Sequence, residues 1–456
     1  MGKRIIVDPI TRIEGHLRIE VEIENGKVKD AWSSGQMFRG IEMMLKGRDP
    51  RDAHHFVQRS CGVCTYIHAL SSVRAVEDAC GIEIPENARI IRNLLHGAQY
   101  QHDHIVHFYH LHALDWVDIV SALSADPVKT AKLSENVSGR PQKADYFKDV
   151  RTKLKTFVNS GQLGPFNNAY WGHPAYQLPA EANLMAASNY LEGIKLQAKA
   201  ARMHAIFGGK NPHPQSLVVG GVTSVGDLTP ERISEFVDIW KETKAFVDEV
   251  YIPDLLAVAS FYKDWGGIGG NNDLFVTYGD FPQKGINDDL LMPSGVLSDD
   301  LKLSALDVGK ITEDITRGWY EPGAPKHPYH GETRPVKGET TYDTDNQYSW
   351  MKAPRYNGSA AEVGPLARVL VAYAKGVPAV KELVATVLKK LEIKPEHLFS
   401  TLGRTAARGL ETVVVGDAME GWIDTLKSNI SAGNKKTYQP WTMPDKGRGY
   451  GLNDVP

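Results

Sequence analysis

The chain has 456 residues, 42% of them hydrophobic, and a net charge of −3 with a pI near 6.6. That balance excludes nucleic acid and an anionic membrane surface as charge-driven partners, and the length allows a large buried core. The three cysteines exclude a disulfide framework and are too few to hold a four-thiolate iron–sulfur cluster.

No apolar run reaches the length of a transmembrane span, and residues 1–9 lack the apolar core of a signal peptide. A soluble chain without an export signal of its own is therefore expected. Residues 16–24 alternate strictly, Leu17, Ile19, Val21 and Ile23 against Arg18, Glu20, Glu22 and Glu24, which predicts a half-buried strand. Asn25-Gly26 is a strong hairpin signal, and residues 27–32 return as the partner strand. A β-hairpin is thus predicted to open the fold.

Beyond it the pattern turns helical. Residues 85–124 read as one long helical stretch, with Ile90, Leu94, Leu95, Ile105, Val106 and Leu111 on its apolar side. His104, His107 and His110, spaced i, i+3 and i+6, would share roughly one face of that helix. Residues 179–207 form a second, Ala-rich helix. Thr229-Pro230-Glu231 starts a third, which runs to about Pro253 and resumes to Tyr262. Further helices are predicted over 363–391 and 403–429. Residues 319–355, rich in Gly, Pro, Tyr and His, read as an ordered loop over the bundle, with Trp319, Tyr320 and Trp350 pinning it. Residues 432–456 are polar, Gly/Pro-rich and without a terminating element.

The expected fold class is mainly α with smaller β elements (α+β), a long-helix bundle with an N-terminal β-hairpin. It is read as one domain over 1–456: a hairpin region to residue 50, a helical bundle with the dithiol over 51–318, the loop over 319–360, helices over 361–431, and a closing loop over 432–456.

Two cysteines, Cys61 and Cys64, stand two residues apart with His68 four residues on. On the turn into a helix such a pair can hold one soft metal from one side, with further ligands from elsewhere. The spacing alone fits half a zinc site, a redox dithiol or a cluster ligand pair equally well. Cys80, in an apolar run, reads as an inert buried thiol. On spacing alone Glu14 reads as a partner for Arg12, Glu42 as a solvated helix charge, and the histidines as hydrogen-bonded bundle residues.

In combination, three motifs point further: Ile10-Thr11-Arg12-Ile13-Glu14-Gly15-His16, Phe38-Arg39-Gly40-Ile41-Glu42, and Arg59-Ser60-Cys61-Gly62-Val63-Cys64 with His68. Later segments agree, among them His102-Asp103-His104, Asn211-Pro212-His213-Pro214, Trp350-Met351-Lys352-Ala353-Pro354-Arg355 and Gly364-Pro365-Leu366-Ala367-Arg368. In this order they resemble the nickel–iron hydrogenase large subunits, and most closely the respiratory uptake group. The resemblance covers nearly the whole chain.

It implies a large-subunit fold and the oxidation of H2 to protons and electrons. By resemblance Cys61 and Cys64 bind nickel, and Cys64 also bridges to an iron carrying CO and cyanide. His68 would hydrogen-bond the bridging thiolate, Glu14 would relay protons if partial burial raises its pKa, and Asp103 would sit in the canopy over the metals. Glu42 would hold a structural magnesium, with His213 and Lys352 as supporting polar residues.

The implied partners are a small subunit that alone carries the iron–sulfur clusters, a membrane cytochrome b reached through it, and maturation proteins. The implied place is the periplasm or the periplasmic face of the membrane, reached by export with the small subunit as a heterodimer. One departure stands out. The family closes its site with a second Cys-x-x-Cys followed by His, and no cysteine follows Cys80. A C-terminally shortened chain, inactive by itself, is therefore expected. A hydrogen-sensing relative fits the same motifs. A metal-free relative such as the quinone-site subunit of respiratory complex I does not explain Cys61 and Cys64.

Overall fold

The computed structural model describes residues 2–270, 274–285, 288–298 and 300–456. Its first element is an antiparallel sheet in the order β1–β2–β3: β1 (Lys3–Val7), β2 (Leu17–Glu24) and β3 (Lys27–Gly35). Asn25 and Gly26 join β2 to β3 with φ of 55° and 74°, the left-handed pair that lets a two-residue turn follow the strand twist. The hairpin is present, but it does not open the fold, because β1 precedes it and pairs along β2.

The strand is half-buried as expected, with one deeply buried exception on its charged face. Leu17, Ile19, Val21 and Ile23 are half-buried, whereas Glu20 on the charged face is 2% exposed. Arg4 and Arg18 neutralise Glu20, and Arg18 stacks 4.1 Å from the ring centre of Tyr342. A carboxylate is retained at such depth only when paired.

Short helices α1 (Ile41–Leu45) and α2 (Ala53–Val57) lead to α3 (Ile67–Cys80) and α4 (Glu86–Val106). α4 places Glu86 in its first turn, where a carboxylate meets the positive end of the helix. The single helical stretch expected over 85–124 ends as α-helix at Val106, and a π-helical turn (His107–His112) and short 3-10 turns follow. The wider turn rotates later side chains, so the three histidines part company. His104 pairs with Glu411, and His110 bonds the carbonyl of Tyr190.

Next come α5 (Pro127–Val137), α6 (Ala144–Asn159) and α7 (Ala180–Gly208), then α8 (Pro230–Phe246). α8 starts as its sequence indicates: Thr229 Oγ1 accepts from the Arg232 N–H at 3.3 Å, with Pro230 in the first turn. The break expected near Pro253 lies earlier. A π-helical turn (Val247–Tyr251) joins α8 to α9 (Ile252–Phe261), and Pro253 sits in the first turn of α9, where its missing N–H is harmless.

Residues 51–318 are not helical throughout. They contain β4 (Leu217–Val218), β5 (Gly221–Val222), β6 (Leu274–Thr277), β7 (Asp280–Lys284), β8 (Asp288–Met292), β9 (Gly295–Ser298), β10 (Leu303–Ser304) and β11 (Ile311–Asp314). β11 pairs with β12 (Ala353–Tyr356). The loop between them is bonded to the N-terminal sheet: the Trp350 N–H donates to Gly35 O at 2.8 Å, and Ser34 Oγ donates to Tyr348 O.

α10 (Pro365–Ala374), α11 (Pro378–Leu391) and α12 (Thr401–Ser431) follow, so the stretch over 363–391 is two helices parted at Gly376, whose φ is 80°. α4 packs between α7 and α12. The buried pairs Arg92–Glu77 and Arg368–Glu411 cross this core. Among the described residues no helix is long and apolar enough to cross a membrane.

Residues 432–456 hold no helix or strand, yet they are firmly docked. Gly447, Gly449 and Gly451 run along the α3 backbone so closely that a Cβ has no room beside Ser71, Ala75 and Ala79. Arg74 and Arg368 donate to the carbonyls of Leu452 and Val455 at 2.7 and 2.8 Å, and Asp454 accepts from the Gly279 N–H at 2.9 Å. The helix that follows the dithiol is thereby clamped from outside.

One buried acid makes stability depend on pH. Asp254 Oδ2 accepts from Tyr109 OH and Asn189 Nδ2, both at 2.8 Å, and burial raises its pKa from the ordinary 3.8 to about 7. The folded state therefore keeps a proton that the unfolded chain releases, so this contribution is full below the unfolded value and is lost as pH rises through the folded one. Relative to Asp254→Asn, the wild-type chain should lose about 2–3 kcal/mol of stability between pH 5 and pH 8. Urea denaturation of both proteins across that range checks the sign; a constant difference would refute it.

Candidate metal centre

A 3-10 turn (Gln58–Ser60) delivers the chain to Cys61 in extended conformation, and α3 starts only at Ile67. The cysteines thus sit on a tight turn before the helix. Their sulfurs are in contact as a disulfide, with Cα atoms 5.4 Å apart, and the Cys64 N–H donates to Cys61 Sγ at 3.0 Å. Reduction leaves two thiols side by side. The ring of His68, the second residue of α3, completes a group of three donors all within 4.8 Å of one another. Cys61 is buried, and Cys64 and His68 are half-buried. Burial lowers the pKa of His68, which favours the neutral imidazole.

Other elements hold this turn. Arg39 Nη1 donates to Arg59 O at 2.6 Å, which ties the Phe38–Glu42 motif to the dithiol. The backbone N–H of His213 donates to Thr65 Oγ1. From α4, Gln99 bonds the backbone on both sides of Cys64 and also the carboxylate of Asp103. Asp103 is bonded in turn to His102 Nδ1 at 2.7 Å.

The remaining candidates lie outside the donor group. Glu14 is exposed, without an ion pair among the described residues, so the partial burial expected for it is not supplied by this chain. Nor is it a partner for Arg12, whose guanidinium bonds Leu111 O and Asp115 instead. Glu42, in the first turn of α1, faces Lys352 Nζ at 3.6 Å.

Beside them stands Glu313, half-buried, whose pKa is raised first by burial and also by Glu42. Sequence reasoning passed over Glu313 and Gln99, since neither belongs to a motif or a distinctive spacing. Phe38 stacks on Trp350 at 4.6 Å, so the loop-pinning role read for Trp350 holds. Cys80 is free and half-buried, its pKa raised by burial. Among the described residues the histidine run forms no metal-binding group.

Two thiols and an imidazole on one side of a point suit a soft metal, and they supply part of a coordination sphere. Comparison with known proteins decides what kind. A family model described as nickel-dependent hydrogenase matches residues 39–456, and one described as HoxL-like matches residues 4–33. The chain belongs to the nickel-dependent hydrogenase family.

Among its relatives, the uptake hydrogenase large subunit of Rhizobium leguminosarum bv. viciae is 48% identical over 496 residues, covering 100% of this chain and 83% of that protein. The hydrogenase-1 large chain of Escherichia coli (strain K12) is 44% identical over 495 residues, with the same coverage. Among solved structures, the oxidised Ni-Fe-Se hydrogenase from D. vulgaris Hildenborough superimposes with a TM-score of 0.80 at 33% identity. The match covers 100% of this chain and 85% of that one. The fold of this hydrogenase chain is thus the α+β large-subunit fold that its sequence indicated.

Proposed function

We propose that the chain is the catalytic large subunit of an uptake nickel–iron hydrogenase, which oxidises H2 to two protons and two electrons. The observation that carries this is the Cys61–Cys64–His68 donor group, placed within a family match spanning most of the chain. Cys61 and Cys64 would hold nickel, and Cys64 would also be a ligand of an iron carrying CO and cyanide, ligands that call for maturation proteins. Bound there, the metal pair supplies the Lewis acidity and redox capacity that splitting H2 requires.

The chain's own residues do the rest. The Cys64 N–H stabilises negative charge on Cys61 Sγ. His68, its ring within 4.8 Å of both sulfurs, would tune their basicity by closing to a hydrogen bond. The carboxylate of Glu14 takes up the proton and passes it to solvent. Glu42 would hold a hard ion such as magnesium in exchange for its ion pair with Lys352 Nζ, with Glu313 as a second carboxylate nearby. Three cysteines cannot also carry a chain of clusters, so the electrons leave through an iron–sulfur small subunit. Export with that subunit to the periplasmic side, and delivery of electrons to a membrane cytochrome b, complete the proposal.

Two sulfur donors do not complete a nickel–iron site. The 456-residue polypeptide by itself should therefore retain no stable centre, while the metal-loaded assembly of the small subunit with a full-length large subunit, which carries the family's second Cys-x-x-Cys, should reduce a dye with H2. Stoichiometric nickel with CO and cyanide infrared bands in the isolated polypeptide would refute the first expectation. A nickel-loaded assembly that consumes no H2 would refute the proposed reaction.

A further inference from the structure

Gln99 lies at the centre of α4 and has no exposed surface. A primary amide offers one carbonyl oxygen and two N–H donors, and here each side is used. Oε1 accepts from the Tyr66 N–H at 3.1 Å, and Nε2 donates to Val63 O at 3.2 Å and to Asp103 Oδ2 at 2.9 Å. These partners fix the orientation of the amide, because a backbone N–H requires an oxygen and a carbonyl and a carboxylate require the NH2 group.

The two backbone groups flank Cys64 and Thr65, so the peptide carrying the Cys64 sulfur hangs between two points on one rigid helix. Arg39 and His213 touch the turn at Arg59 and Thr65, each on one side only. Gln99 alone of these three spans Cys64. It also fixes the Asp103 carboxylate, which His102 holds from the other side.

We infer that Gln99 is a positioning residue that sets the geometry of the Cys61–Cys64 turn and the orientation of Asp103 beside it. The inference rests on the reading of Cys61 and Cys64 as nickel ligands. No other side chain of this length replaces it. Leucine and methionine offer no N–H, and an ionised glutamate accepts from Tyr66 but sets a negative charge against Val63 O and Asp103.

Two variants test the inference, Gln99→Leu and Gln99→Glu, the second guarding against a folding failure of the first. In the reduced chain, hydrogen exchange at the Tyr66 amide should accelerate about tenfold in Gln99→Leu, which has no acceptor for it, and less in Gln99→Glu, which keeps one. Alkylation of Cys64 by iodoacetamide should also become faster, with Cys80 unchanged as the internal control. In the nickel-loaded assembly, the nickel g-values should shift in both variants, because the thiolate geometry moves.

Wild-type exchange and alkylation in both variants would overturn the inference. So would unchanged g-values at full nickel content. If the wild-type assembly bound no nickel, the functional reading would fail, while the exchange and alkylation data would still decide whether Gln99 holds the turn.

Discussion

Replacing Glu14 with glutamine should slow H2 oxidation by the assembled, metal-loaded enzyme about 10²- to 10⁴-fold, with nickel content unchanged. Glutamine keeps the size and hydrogen-bonding capacity of the side chain and removes only the titratable group. A structural role for Glu14 has little support. It is exposed and unpaired among the described residues, and Arg12, the obvious alternative partner, is bound to Asp115 and Leu111 O. Stability should therefore change by no more than about 0.5 kcal/mol, the range for surface substitutions free of special contacts. The readouts are H2 oxidation and H/D exchange on metal-replete protein. Wild-type rates in both would remove Glu14 from the mechanism.

The second large effect belongs to the dithiol. Serine in place of Cys61 or Cys64 exchanges a soft thiolate for a hard hydroxyl that stays protonated at neutral pH. Substituting a group that merely supports a ligand costs about 10- to 100-fold in metal affinity. Losing a ligand should cost more than that, and H2-dependent dye reduction should fall below detection in both variants. Cys80→Ser is the control, since Cys80 lies outside the donor group and should keep full activity.

The Cys61–Cys64–His68 donor group was legible because its chemistry is rare in the chain. Two of only three cysteines stand together, and the motifs around Glu14, Glu42 and His68 follow one another in a fixed order. The hairpin was legible from strict alternation and from Asn25-Gly26, whose positive φ values few other pairs adopt readily. The burial of Glu20 was not, because alternation shows two faces without showing what covers each. Here a loop some 320 residues away covers the charged side and brings Tyr342 over Arg18.

Gln99 was hidden for a related reason. A glutamine inside a helix has no spacing signature, and its value lies wholly in the turn packed against it. The strands over 274–314 are two to five residues long, too short for period-two patterning to emerge. The π-helical turn at His107–His112 displaced the predicted histidine face, and nothing local in the sequence marks where an α-helix widens.

Nickel binding at the Cys61–Cys64 turn is the property on which the proposed reaction depends. The most direct measurement is nickel content together with nickel K-edge absorption of the enzyme assembled from a full-length large subunit, for wild type, Cys61→Ser and Cys64→Ser. Stoichiometric nickel with sulfur ligands in the wild type, and loss of that nickel in both variants, is the predicted result. Equal nickel in all three proteins, with unchanged sulfur coordination, would contradict it.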